Sequence, residues 1–305
     1  MSEEIEQARQ ALRGVPGFGE IGAVARLGGL TNLVYRAETD GTTVCLRVPG
    51  KGTEEYIDRE VEAVNARAAA RAGVSPEVLH FDAATGLMVT RFLEGTETMT
   101  AAFFKTRPGA PGRAGRAFRQ LHESGEAFAF RFELFAMIDD YLKILSTKDV
   151  NLPEGYHDVV GEAKAVRAAL DRNPVALAPC HCDPLCENLL DTGARMWIVD
   201  WEYSGMNDPM WDLGDLSVEG AFDPAQDREM MDAYFDGEPP RDQWGRMIIY
   251  KAMCDLLWTL WGLIQHANKN PADDFWAYSV NRFERCRTLM ADPEFGSHLG
   301  AIDQG

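Results

Sequence analysis

The chain has 305 residues, enough to bury a core and to form two compact parts rather than one small domain. Apolar residues make up 46% of it, as in a globular protein, and 48 acidic side chains against 30 basic ones leave a formal charge of −18. That surplus repels a phosphate backbone, which argues against general nucleic-acid binding, and it favours a cationic ligand.

The opening MSEEIEQARQ is polar and acidic where a secretory leader needs a basic start and an apolar run, so a cytoplasmic location is expected. Residues 2–13 read as a helix, closed by a Gly/Pro turn at 14–19. Strand-like runs follow at 21–27, 33–39 and 43–48. The small-residue turn Gly28-Gly29-Leu30-Thr31-Asn32 joins the first two, and Asp40-Gly41, a strong hairpin signal, joins the next. Residues 54–72, rich in Ala, Glu and Arg, favour helix, with Gly73 as its stop. Strands at 78–82 and 87–92 complete an antiparallel sheet with one helix. Leu93-Glu94-Gly95-Thr96 then reads as the connection to a second part, dividing the chain into 1–94 and 95–305.

Beyond it helices dominate, at 114–123, 132–145, 156–173, 224–235, 244–268 and 273–289. Strand character is confined to 189–190 and 196–199, and the Gly-, Pro- and Arg-rich stretch 107–113 is expected to be a mobile loop. Lys251, Asp255 and Gln265 interrupt the apolar stretch 247–267, which predicts a buried helix and no membrane insertion. The expected class is α+β, with a small antiparallel sheet first and a mostly helical part second.

Cys45, Cys180, Cys182, Cys186, Cys254 and Cys286 show no regular pairing, so reduced thiols are expected. Cys180, His181, Cys182 and Cys186 cluster, but the second ligand pair of a zinc site does not follow.

The most informative stretch is His181-Cys182-Asp183-Pro184-Leu185-Cys186-Glu187-Asn188, followed by Trp197-Ile198-Val199-Asp200-Trp201-Glu202. An Asp five residues before an Asn, then an Asp at a strand end, puts a proton acceptor and two oxygen ligands in one compact unit. Taken singly, Asp183 and Asn188 are ordinary turn residues and Asp200 a cap.

The pattern HxDxxxxN, then two hydrophobic residues and Asp, resembles the catalytic loop of the protein-kinase-like phosphotransferases, the group containing aminoglycoside phosphotransferases and choline kinases. The resemblance implies a two-lobe kinase-like fold, ATP and Mg2+, with Asp183 as catalytic base, Asn188 and Asp200 as magnesium ligands, and His181 as a brace. It also implies a nucleotide site in residues 1–94, formed by Gly28, Gly29, Thr31 and Asn32, whose small turn lets backbone N–H groups approach phosphates, together with Phe92. Many relatives hold phosphate oxygens with a Lys on the third strand; choline kinases resemble this chain in using Arg, here Arg47. Glu62, rather than Glu60, is expected to orient it.

Residues 200–215 resemble bacterial choline kinases of the lipopolysaccharide-modifying type, with Asp212 fixing the catalytic loop. Trp258-Thr259-Leu260-Trp261-Gly262-Leu263-Ile264-Gln265 matches the same family, and its spacing puts both indoles on one helical face. Tyr203, Trp258, Trp261 and Tyr278 are thereby implied as an aromatic box and Glu219 as its anionic partner, since a quaternary ammonium is held by cation–π attraction and charge. An arbitrary Trp-x-x-Trp would simply fill a core. The resemblance covers residues 22–283 and is weakest at 101–156, where the helix ending Leu121-His122 reads as a packing feature. The implied activity is phosphorylation of a small cationic alcohol, choline or ethanolamine. The competing expectations are an aminoglycoside, thiamine or sugar kinase of the same superfamily, and a non-catalytic nucleotide- or choline-binding protein.

Overall fold

The computed structural model describes residues 3–28, 32–50 and 57–304; the expectations for Gly29 and Thr31 lie outside these residues. Helix α1 (Glu3–Arg13) is followed by β1 (Val24–Gly28), β2 (Leu33–Thr39), β3 (Thr42–Val48), α2 (Arg59–Arg71), β4 (Val78–Asp82) and β5 (Leu87–Arg91). These strands form one antiparallel sheet in the order β1-β2-β3-β5-β4. The Asp40-Gly41 hairpin forms as expected: Thr39 pairs with Thr42, and Gly41 takes the positive φ of +79° that the tight turn demands. Asp58 caps α2 by accepting from the N–H groups of Glu60 and Val61.

Successive strand residues face opposite sides of the sheet. Val89 on β5 joins Leu46, Tyr35 and Leu12 in a small core under α1, whereas its neighbour Met88 joins Phe81, α2 and the helices beyond in a larger one. The sheet is therefore lined on one face by its own terminal helix and on the other by the second part of the chain.

That part comprises β6 (Glu97–Thr98), α3 (Ala101–Thr106), α4 (Ala110–His122), α5 (Leu134–Leu145), α6 (Tyr156–Arg172), β7 (Ala178–Cys180), β8 (Leu189–Asp191), β9 (Met196–Ile198), β10 (Gly205–Asn207), α7 (Met210–Glu219), α8 (Pro224–Phe235), α9 (Arg241–Ala267), α10 (Phe275–Met290) and α11 (Phe295–Ile302). Strands β6, β8 and β9 make one small sheet and β7 and β10 another. The α+β class, with sheet first and helices second, is as expected.

Residues 107–113 are not the mobile loop that their composition suggested. Ala110 opens α4, because Pro111 falls in the first turn, where its missing N–H costs nothing. Arg113 is buried, donating to Asp191 at 2.8 and 2.7 Å and to the Pro108 carbonyl at 2.9 Å. Helices α3, α7 and α11 and the strands β6, β7 and β10 were not foreseen either; α7 is obscured by the Pro, Gly and Asp residues at its start.

Among the described residues α9 is the helix long and apolar enough to cross a membrane, and 83% of its apolar stretch is buried in the protein. Its interrupting charges have internal partners: Lys251 pairs with Asp227 at 2.7 Å, and Asp255 with Arg282 and Arg285 at 3.1 and 2.6 Å. A Cβ at Gly214 would lie 2.7 Å from the Met247 carbonyl, so glycine there lets α7 press its backbone against α9. That contact sets the helix bearing Trp258 beside the one bearing Asp212, Asp215 and Glu219.

Candidate active site

Asp212, fully buried on the first turn of α7, accepts from the main-chain N–H groups of His181 and Cys182 at 2.7 and 2.8 Å. A third bond comes from His122 Nε2 at 3.0 Å, and His122 Nδ1 lies 3.0 Å from the Tyr234 hydroxyl. His122 thus links α4 and α8 to the loop anchor, a polar role beyond the packing expected of it. Cys182 sits at φ +66°, an uncommon backbone conformation that these contacts hold in place, and Trp211 Nε1 donates to its carbonyl at 3.1 Å.

Asp183 follows immediately. Its N–H donates to His181 Nδ1 at 3.3 Å, which leaves His181 Nε2–H to donate to the Val199 carbonyl at 2.9 Å. His181 is a brace, and burial lowers its pKa so that it stays neutral. The Asn188 amide nitrogen donates to the Asp183 carbonyl at 3.1 Å, and the Val199 N–H to the Asn188 carbonyl at 2.9 Å. The β8–β9 hairpin returns the chain so that Asp200, at φ +68°, comes next to this loop. Asp tolerates that left-handed conformation better than most side chains.

The sheet supplies the other side. Arg47 on β3 is buried; its ion pair is with Glu62, not Glu60, and it reaches Asp200 at 3.3 Å and Glu202 at 3.8 Å. Arg59 bridges Glu62 at 2.7 Å and Glu202 at 2.5 Å, while the Asn32 amide donates to Glu202 at 3.0 Å. Carboxylate oxygens of Glu62, Asp200 and Glu202 lie within 4.8 Å of one another. Three acids thus face two guanidiniums; Glu62 and Glu202 are engaged by Arg47 and Arg59, and the less tightly paired oxygens of Asp200 are of the kind that suits a hard divalent cation such as magnesium.

Burial pushes the Asp183 carboxyl up to about 7, Glu219, Glu202 and Asp212 adding to the effect and Arg282 opposing it. Burial, and then Glu202, also raises Asp200. Both groups are poised to gain from an incoming positive charge.

The aromatic residues are gathered, though chiefly in contact with each other. Tyr203 stands edge-on to Trp258 with ring centres 5.4 Å apart, its hydroxyl accepts from Trp261 Nε1 at 3.1 Å, and Trp261 meets Tyr278 at 5.8 Å. Arg282 covers the Tyr278 ring at 4.6 Å and donates to Glu219, whose charge is therefore already met inside the protein. Gly28 pairs with Val34, and among the described residues no atom lies within 4 Å of where its Cβ would stand. Phe92 lies with its N–H on the Thr43 carbonyl and Arg36 5.4 Å above its ring, lining a surface depression of about 460 Å³ with Thr42, Arg91 and Glu94.

Three participants went unassigned in the sequence reading: Glu202, Arg59 and Asp215. Glu202 lay within the quoted motif, Arg59 stands one helical turn before Glu62, and Asp215 lies three residues after Asp212 and four before Glu219, on one face of α7.

Residues 23–247 match the phosphotransferase enzyme family. A choline/ethanolamine kinase family protein from Mesorhizobium loti is 64% identical, covering 98% of this chain and 99% of its own, with a TM-score of 0.90. The choline kinase LicA from Streptococcus pneumoniae is 27% identical over 95% of this chain and 99% of its own, with a TM-score of 0.78. LicA in complex with AMP is 28% identical over the same shares, with a TM-score of 0.75. The match across most of the chain, together with the sheet-then-helices architecture, means that the chain belongs to the phosphotransferase enzyme family of protein-kinase-like fold, as a small-molecule phosphotransferase of its choline/ethanolamine kinase branch.

Proposed function

We propose that the protein transfers the γ-phosphoryl group of ATP to the hydroxyl of choline or ethanolamine. The observation that carries this reading is the position of Asp183, on a loop clamped by Asp212 and joined to Asn188, close enough for Glu202 to act on its charge and for its own charge to act on Asp200. The similarity to the choline kinase LicA, and to LicA in complex with AMP, points the same way.

In this reading residues 1–94 hold the nucleotide and residues 95–305 the alcohol. Arg47, oriented by Glu62, offsets phosphate charge, and Asn32 contributes beside Glu202. Asn188 and Asp200 would hold magnesium, which when bound neutralises the phosphate oxygens and draws them into register. Asp183 accepts the hydroxyl proton and aims the oxygen in line at the γ-phosphorus. Tyr203, Trp258, Trp261 and Tyr278 offer ring faces to the cationic head, Trp258 with a buried indole next to Asp215.

Removing the base tests the mechanism. Asp183→Asn is expected to cut turnover by about 10²–10⁴-fold, while binding of a fluorescent ATP analogue survives. In the wild type kcat/KM for the alcohol should rise as pH passes about 7, because the carboxyl must be deprotonated to act, and fall below it. Near wild-type turnover by Asp183→Asn would remove the mechanism. ADP release with choline, ethanolamine, thiamine and kanamycin separates the substrate classes, and release with none of them would leave only a binding protein.

A further inference from the structure

Arg59, on the first turn of α2, reaches across to the second part of the chain. Its Nη1 donates to Glu62 Oε2 at 2.7 Å and to Glu202 Oε1 at 2.5 Å, and its side chain is only 10% exposed. The turn at Gly86, between β4 and β5, makes room for it: a Cβ there would lie 2.8 Å from Arg59 Nε and 3.0 Å from its Cδ, while the Gly86 carbonyl accepts from Arg47 Nη2 at 3.4 Å. Arg47 serves the same acids from β3. Its Nη1 pairs with Glu62 Oε1, and lies 3.3 Å from Asp200 Oδ1 and 3.8 Å from the Glu202 oxygen that Arg59 holds.

A guanidinium gripped by several carboxylates has less to offer a phosphate, because each acid competes for the same N–H groups and the same charge. Arg59 takes up two of the competing oxygens, one on Glu62 and one on Glu202. Without it both acids would turn to Arg47, the guanidinium already in reach of each, and would draw it from Asp200 toward Glu202. Resting on the kinase reading above, we infer that Arg59 is a positioning residue of the nucleotide site: it holds Glu202 and Glu62 so that the charge of Arg47 stays directed at the phosphates of ATP. Both of its bonds leave from one nitrogen, so what the position requires is a positive charge at that point rather than a planar fork.

The test uses the full-length protein, a fluorescent ATP analogue, and ADP release with choline and ethanolamine. Arg59→Gln keeps a donor without the charge, and Gly86→Ala crowds the same side chain while leaving the carbonyl that Arg47 uses. Each should weaken analogue binding about tenfold, the size of one hydrogen bond to a charged group, and raise the KM for ATP in parallel. Arg59→Lys should stay within about threefold of wild type. The KM for the alcohol should move less than about twofold in all three, whereas a general loosening of the fold would raise both KM values. The two disruptive variants reach one side chain by different routes, so whichever of them folds decides the point. Unchanged analogue binding in a folded variant, or KM values for ATP and alcohol that rise together, overturns the assignment and leaves the kinase reading intact. A wild type that binds the analogue but turns over neither alcohol sinks the acceptor reading alone, with analogue binding still deciding the role of Arg59. A wild type that binds no analogue sinks both.

Discussion

Asp212→Asn is the most informative perturbation of the loop that carries Asp183. In the wild type one carboxylate oxygen accepts from the N–H groups of His181 and His122 at 2.7 and 3.0 Å, and the other from the N–H of Cys182 at 2.8 Å. An amide of the same shape has a single acceptor oxygen. Whichever way it turns, its NH2 faces a main-chain N–H, leaving a buried donor unpaired at a cost of about 1–3 kcal/mol, and the remaining bonds lose their charge assistance. The sum is about 2–4 kcal/mol on these values. Much of it should appear as relaxation at Cys182, whose φ of +66° is held by this carboxylate, and Asp183 is the next residue. Urea unfolding should show the lost stability, and ADP release should show kcat falling by about 10² or more, since misplacing a reacting group by an ångström has that effect. Unchanged unfolding with kcat within about twofold of wild type would refute the argument that Asp212 positions the base.

Two further outcomes follow from the packing. Arg113→Ala strands the buried Asp191 carboxylate; the loss should be about 3 kcal/mol by urea unfolding, the low end for a broken buried pair, because Arg107 still reaches Asp191 at 3.0 Å. A loss under about 1 kcal/mol would mean that the pair acts like a surface one. Trp258→Ala should raise the KM for the alcohol about tenfold, the size of a desolvated cation–π contact, and leave the KM for ATP nearly unchanged; equal rises would assign the indole to packing alone.

What could be read in the sequence was local. The spacing from His181 to Asp200 is a property of one loop and one hairpin, and the strands around Asp40-Gly41 announce themselves by alternation and a turn dipeptide. What escaped was tertiary. Arg59 and Glu202 are 143 residues apart and acquire meaning only by meeting, and His122 becomes polar scaffolding only because α4 lies against the start of α7. Composition misled at 107–113, where the arginine that suggested a solvated loop is an internal clamp. It hid α7 as well, since helix propensity is low for the Asp and Gly residues through which that helix lines the site.

The face of α7 shows why residue identity alone could not separate structural from functional carboxylates. Asp212, Asp215 and Glu219 have the same chemistry and lie along one helix, yet saturation by N–H donors makes the first an anchor, and the third shares a guanidinium with Asp255. An acid with all its acceptor sites filled has nothing left to offer a ligand. Glu219, the residue the family pattern nominates for the cationic head, is paired with Arg282 and is still the carboxylate that acts most strongly on both Asp183 and Asp215.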